Sequence, residues 1–501
     1  MASNPNATLH KSLQDAATRL ADIRLGDLMR APDRQKFIFG FEDLQADCTR
    51  QPIDEQSLSL LLELAKERGL KNRLEEMFSG AYVNLSEDRP VVHCDLRHPD
   101  RLATDEFKQL SAFAENLRGH RDITAIVNLG IGGSDLGPAM VVQALAGYHD
   151  GPACYFVGNI CPTDLHDVLA KCEAGKTLFI VTSKTFTTAE TLTNAELAKA
   201  WLAENGIEAS QAMVAVTAYG ERALKWGILP DHIFSFAEGV GGRYSLWSAV
   251  GLSVMIAIGA AAFSDMLAGA YAMDKHIRES DFDKNIGVIM GLLRVWHRSY
   301  LNATSYGLMP YDQRLARLPA WAQQLEMESN GKQVDRHGKP LSRPAGPLIW
   351  GEPGTNAQHS FFQWLHQGAE IHPIDILVSR TPYLRGEDAL SKDAHRQLVI
   401  NAIAQAEALA LGQKNPDNPH QHFAGNRPSI LVSWDRSTPF AIGRLLALYE
   451  HITIVSGFIW GINSFDQFGV ELGKKMARAL DEGTGLSHFS KAAQSFMQTL
   501  D

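Results

Sequence analysis

Ser183, Lys184, Thr185, Thr187 and Thr188 put four hydroxyls and one ammonium into six residues, directly after the apolar run TLFIVT (177–182). At a strand-to-helix junction that inventory suits a phosphate, because side-chain donors, free backbone N–H groups and the positive end of a helix dipole converge on one anion. Thr187-Thr188-Ala189-Glu190 also matches the capping box S/T-x-x-E. Capping accounts for Thr187 and Glu190 and leaves Ser183, Lys184, Thr185 and Thr188 to the anion. A glycine-rich stretch, Gly130-Ile131-Gly132-Gly133-Ser134-Asp135, follows another apolar run, ITAIVNL (123–129). Asp135 stands where the dinucleotide fingerprint needs its third glycine, so the stretch serves equally as a tight turn or a phosphate cradle. AGKT (174–177) mimics the end of a P-loop, but Ala170 replaces its first glycine and a strand pattern follows.

Other residues suit proton transfer or charge stabilisation. Arg243, beside Gly241 and Gly242, could aim a guanidinium at an anion with little steric obstruction, although an arginine at a helix start is by default a surface residue. Glu328 ends the helical pattern LPAWAQQL, with Asn330-Gly331 as the stop. A carboxylate there faces the negative end of the dipole, which opposes ionisation and moves it toward general-base range; a solvated helix end is the alternative. His359, in GTNAQHSFFQ, has a side chain suited to acid–base work near neutrality or to a structural role. Lys474 lies off the stripe of Leu472, Met476 and Leu480, either solvated or, between two glycines, open to a substrate. His420 and His422 form H-x-H with no carboxylate or cysteine at ligand spacing, so no metal site is expected.

The elements that must carry these residues read as α/β. Residues 11–30 and 57–78 show helical periodicity. Beyond residue 100, strand-length apolar runs alternate with helix-length segments, in a first series at 123–129, 154–160, 177–182 and 213–218. A second series follows at 347–351, 374–379, 429–434 and 453–460 (TIVSGFIW). That alternation predicts parallel, doubly wound sheets. Residues 330–347 and 412–428 read as long surface loops, and residues 245–264, free of charge, as a buried core helix in preference to a membrane span.

Composition narrows the partners. The 501 residues carry 47 Lys+Arg against 57 Asp+Glu, a net charge of −10. An acidic balance argues against nucleic acid or an anionic membrane as the main partner. Five cysteines, none at C-x-x-C spacing, and a polar N-terminus fit a reducing, cytoplasmic location.

In this order the stretches GIGGSDLGP, SKTFTTAET, GGRYSLWSA, QQLEMESNGK, GTNAQHSFFQ and SFDQFGVELGKKMA, with NLSEDRPVVHCDLR at 84–97, closely resemble the glucose-6-phosphate isomerase (phosphoglucose isomerase) family. The resemblance implies two SIS-type αβα sandwich domains with mostly parallel sheets, at 111–290 and 291–470, between a helical N-terminal extension (1–110) and a C-terminal helical arm (471–501). It implies cofactor-free interconversion of D-glucose 6-phosphate and D-fructose 6-phosphate, a sugar phosphate as the small-molecule partner, and a homodimer. Ser134, Ser183, Lys184, Thr185 and Thr188 would hold the phosphate, with Lys184 as the charge. His359, from the neighbouring subunit and oriented by Glu190, would open the ring with Lys474 near the ring oxygen. Glu328 would carry the proton between C2 and C1, and Arg243 would stabilise the enediolate. Gly133, Gly242, Gln324 and Gln467 would line the site. Ala357 and Phe468 replace residues usual in the family, glycine and tryptophan, and Ala357 stands close enough to affect the placement of His359. A sugar-phosphate sensor needs the phosphate loop but has no use for Glu328, His359 and Lys474. Side activity on mannose 6-phosphate stays open, since C2 epimers share one enediol.

Overall fold

The computed structural model describes residues 5–119, 122–383 and 388–500, so the first four residues of the polar N-terminus lie outside it. Its strands are β1 (Ile38–Phe41), β2 (Leu44–Asp47), β3 (Ala125–Leu129), β4 (Ala153–Val157), β5 (Thr177–Thr182), β6 (Met213–Thr217), β7 (Ile233–Ser235), β8 (Ser305–Pro310), β9 (Leu348–Trp350), β10 (Ile374–Ser379) and β11 (Ser429–Trp434). One sheet has the order β4-β3-β5-β6-β7 and is parallel throughout. The other has the order β9-β8-β10-β11-β2-β1, parallel as far as β11 and closed by an antiparallel hairpin. Among the parallel strands of each sheet the chain starts one strand in from an edge, steps outward once, then crosses back and continues the other way. The central strands β3, β5, β6, β8 and β10 are buried along their whole length. Helices cover both faces, so these strands read as continuous apolar runs without alternation.

Four features differ from the sequence reading. TIVSGFIW is not a strand but the last third of one helix, Pro439–Trp460, whose 18-residue apolar window is wholly buried. Thr438 caps it by accepting from the Ala441 N–H, Pro439 occupies its first turn, and Gly461 ends it in the left-handed region at φ 76°. A continuous apolar run fits a buried helix and a buried strand equally, and here the caps decide. Residues 245–259 are buried as expected, but 245–264 do not form one helix: 3-10 turns lead into Leu252–Ile258, and Gly259 (φ 87°) separates it from Ala260–Glu279. β7 and β8 escape the pattern, the first because it is three residues long and the second because SYGLMP contains glycine and proline. The largely helical N-terminal region also includes β1 and β2, which extend the second sheet. Their turn is held by Arg444 on the long helix, which pairs with Glu42 and Asp43 at 2.5 Å each.

Beyond Val470 the chain leaves the core. Helices Glu471–Asp481 and Lys491–Met497 bury no residue against it.

Candidate active site

The loop after β5 is fixed by main-chain bonds to the end of β6. Ser183 N–H donates to Val216 O and Ala218 N–H to Lys184 O, each at 3.0 Å. Ser183 is buried, its Oγ 2.9 Å from Thr188 Oγ1, while Thr187 Oγ1 donates to the exposed Thr185 Oγ1 at 2.8 Å. Both threonine hydroxyls are thereby drawn into the loop, and the capping box expected at 187–190 does not form. Helix Ala189–Glu204 starts at Thr188 with no side-chain cap. Its first N–H groups, and those of Lys184 and Thr185, donate to no acceptor among the described residues. Hydroxyls and unpaired N–H groups at one helix start are an arrangement suited to an anion. Lys184 Nζ donates to the carbonyls of Glu238 (2.6 Å) and Val240 (2.9 Å). Burial, with nearby Arg89, lowers its pKa from the usual lysine value. The ammonium thus clamps the 183–188 loop to the segment that leads into Arg243.

The glycine loop after β3 faces that same segment. Thr182 Oγ1 donates to Asn128 Oδ1 (3.1 Å), and Asn128 Nδ2 donates to Ser134 O (2.9 Å), which ties the two loops together. Gly133 must be glycine, because a Cβ there would lie 2.0 Å from Gly242 O. A Cβ on Gly132 would meet Gln324 Nε2 at 3.0 Å. The sequence left this loop open between turn and cradle; packed on Gly242 and Gln324, with Ser134 half-buried at its end, it joins the 183–188 loop to the turn that carries Glu328.

Arg243 is buried, with each nitrogen fixed. Nε donates to Ser329 Oγ at 2.6 Å, Nη1 to Gln467 Oε1 at 3.0 Å, and Nη2 to the carbonyls of Ser464 (2.7 Å) and Asp466 (3.1 Å). Its nearest carboxylate is Glu328, with Nη1 3.8 Å from Oε2. Glu328 ends a π-helical turn, Gln324–Glu328, that continues helix Leu318–Gln323; such turns recur at functional sites because they re-aim side chains within a helix.

Two carboxylates in this turn have opposite surroundings. Glu326 accepts from Asn330 Nδ2 (2.9 Å) and Thr453 Oγ1 (2.7 Å), which staples the turn to the long helix. Glu328 Oε2 is buried and accepts no hydrogen bond. It lines a cavity of about 950 Å³ together with Gln324, Lys332 and Gln467. A buried carboxylate oxygen without a donor, beside a fixed guanidinium, is available to take a proton from a ligand.

Other expected residues are not brought to this cluster. His359 is exposed at the end of the 3-10 turn Asn356–His359 in the second sheet's domain. Lys474 is exposed on the arm and pairs with Glu471 at 3.1 Å. Glu190 is half-buried in the first turn of its helix. Among the described residues no hydrogen bond or ion pair joins His359 or Lys474 to Glu328, Arg243 or Glu190. Ala357 is fully buried, in one cluster with Tyr311 and Phe362. Phe468 is exposed on the rim of the cavity.

Sequence reasoning assigned no role to Ser329, Lys332 or Asp466, although all three stand inside the motifs. Lys332 Nζ donates to Asp466 Oδ1 and O, each at 2.7 Å, and burial lowers its pKa despite that partner. A separate buried cluster brings ligand atoms of Cys94, Asp274 and His451 within 4.8 Å of one another. Asp274 Oδ1 already accepts from Arg97 (3.0 Å) and pairs with His451 Nε2 (2.6 Å), and Arg97 also pairs with Glu450. That guanidinium makes the cluster an internal charge network poorly suited to a cation.

A model of the phosphoglucose isomerase family matches residues 47–497. The chain belongs to that family. A glucose-6-phosphate isomerase from Xanthobacter autotrophicus is 45% identical, over 95% of this chain and 94% of that one. One from Brucella anthropi is 43% identical, over 89% and 88%. The crystal structure of a glucose-6-phosphate isomerase from Chlamydia trachomatis D/UW-3/Cx superposes with a TM-score of 0.90 at 33% identity, covering 98% of this chain and 99% of that one. The two parallel-sheet units are the family's paired sugar-isomerase domains.

Proposed function

We propose that the chain isomerises glucose 6-phosphate, as the names of its relatives suggest, and that it does so by interconverting D-glucose 6-phosphate and D-fructose 6-phosphate through a cis-enediolate. The observation that carries this reading is Glu328 Oε2, buried, without a hydrogen-bond donor, and 3.8 Å from the fixed Arg243. The phosphate sits on the hydroxyls of Ser134, Ser183, Thr185 and Thr188 and on N–H groups that include that of Lys184, whose ammonium holds the loop in shape. Glu328 takes the C2 proton of the aldose and returns it to C1, while a hydroxyl proton moves from O2 to O1. Arg243 stabilises the oxyanion between the two transfers, a preorganised charge that needs no reorganisation during reaction. Gln324, Gln467, Gly133 and Gly242 line the site.

Ring opening falls to His359 and Lys474, which a second copy of the chain supplies or completes. Three features support a homodimer: His359 is exposed, the arm buries nothing on its own core, and Leu472 (67% exposed) and Met476 (42%) share one face of it. The reading needs no metal or organic cofactor, and a cytoplasmic location accompanies it.

NMR of the protein with fructose 6-phosphate in heavy water tests this function. Turnover with deuterium entering at C2 is the expected result. Turnover with no deuterium would point to hydride shift or to a base fully shielded from solvent, and would weaken the role given to Glu328. Ligand line-broadening without turnover would leave a sugar-phosphate sensor.

A further inference from the structure

The second sheet repeats the first strand for strand: β8, β9, β10 and β11 take the places of β3, β4, β5 and β6. The match extends into the loops. In the first domain Ser183, the residue after β5, donates its N–H to Val216 O, and Val216 is the register partner of Thr182, the last residue of β5. In the second, Arg380, the residue after β10, donates its N–H to Trp434 O at 2.7 Å, and Trp434 is the register partner of Ser379, the last residue of β10. A long helix follows each loop, Ala189–Glu204 in one and Ala389–Leu411 in the other. Arg380 and Thr381 therefore occupy the places of Ser183 and Lys184.

A cavity of about 330 Å³ lies at this second loop, lined by Arg380, Thr381, Lys392, His395, Arg396 and Arg436 among others, and by no acidic side chain among the described residues. Lys392, His395 and Arg396 come from one face of the helix at spacings of three and four, and Arg436 from the segment after β11. The Arg380 guanidinium donates to Ser433 Oγ (3.2 Å) and Asp43 O (2.8 Å), both neutral acceptors. Arg396 makes no hydrogen bond or ion pair among the described residues. Thr381 Oγ1 donates to Asp435 Oδ1 (2.8 Å), so one carboxylate stands beside the pocket, and in a chain of net charge −10 this concentration of cations still runs against the overall field.

We propose that this pocket is a second anion site, which binds a small phosphate ester carrying at least two negative charges. Three observations agree: the place in the fold that holds the phosphate loop of the first domain, a concave volume at the lower end of small-ligand pockets, and arginines, whose planar donor forks match phosphate oxygens. Carboxyl ends of parallel strands are also where open α/β sheets bind ligands.

Calorimetric titration of the full chain with inorganic pyrophosphate tests the assignment. The chain carries Thr185→Glu, which puts a carboxylate into the first phosphate loop and closes that loop to anions. One equivalent is expected to bind per chain, with Kd raised at least about tenfold by added Arg396→Glu or Lys392→Glu. Both residues are exposed on a helix surface, so folding is not at stake, and either change in an otherwise unaltered chain leaves isomerase turnover unchanged. Loss of all binding on Thr185→Glu alone would confine anions to the catalytic loop and overturn the proposal. So would a Kd indifferent to Arg396→Glu and Lys392→Glu, or equal weakening by Lys225→Glu on the first domain, which would signal diffuse attraction.

Discussion

The proposed proton-transfer half of the site and the proposed ring-opening half are built in opposite ways. Glu328 and Arg243 sit where three segments distant in sequence meet, and every nitrogen of Arg243 is bonded within the same chain. His359 and Lys474 are exposed, the one on a short turn and the other on an arm with no buried residue. The fixed charge of Arg243 is held in the core and the half-buried Glu328 faces the cavity beside it, where rigidity is available without a partner. In the proposed reading the ring-opening residues stand where a second copy would complete them, which would make assembly and activity one equilibrium.

The largest effect should come from the buried half. Glu328→Gln keeps the shape and removes the base, and kcat should fall by about 10³-fold or more, with proton exchange into heavy water lost and binding of inorganic phosphate retained. Preserved exchange would move the base elsewhere. Arg243→Lys keeps a charge but cannot reproduce four bonds in fixed directions. A loss of about 10²-fold in kcat is expected, with KM changed much less; a loss in KM alone would make Arg243 a binding group and not a stabiliser of the intermediate.

The exposed half is tested by mixing. Glu328→Gln and His359→Asn chains should each be nearly inactive. After joint unfolding and refolding, half of the dimers pair unlike chains, and each has one site with both groups intact if the histidine crosses between subunits. About a quarter of the wild-type activity should then return. No recovery would place His359 in the site of its own chain. A smaller effect is expected from Leu472→Glu with Met476→Glu on the arm: specific activity should fall on dilution, in step with dimer dissociation measured by analytical ultracentrifugation, and recover at high concentration. Unchanged mass at every concentration would show that the arm contributes no interface.

Legibility followed the same divide. The strand series, the phosphate loop and the residues around Glu328 are local patterns, and the sequence carries them. Arg243 bonds to groups 86 to 224 residues away, and no window of sequence displays such pairing. Burial defeated the strand reading of TIVSGFIW, since a helix surrounded by core loses its polar face and with it the period that identifies it. Its punctuation, Thr438-Pro439 at the start and Gly461 at the end, was present and decisive. The surroundings of the Lys184 ammonium were hidden for a related reason: a lysine in a hydroxyl-rich loop suggests a phosphate, while the carbonyls of Glu238 and Val240 that it also reaches lie on another segment.

Histidines show the divide at its smallest scale. His359 is exposed, whereas His93, His276, His297 and His451 are buried, and burial holds each below the ordinary imidazole pKa. For His297, burial first and then Arg294 push the value down to about 3. The unfolded chain takes up the proton near pH 6.5, so between about 6.5 and 3 the unfolded state binds more protons than the folded one. Stability therefore falls as pH drops through that window, by up to about 1.4 kcal/mol per pH unit for each such group. His297→Gln, with a side chain that does not titrate, should flatten the acid limb of thermal stability by about that slope while leaving kcat at pH 7 unchanged. An equally steep limb in the variant would mean that other groups carry the acid transition, and that the buried imidazole at position 297 takes up its proton without opening the core.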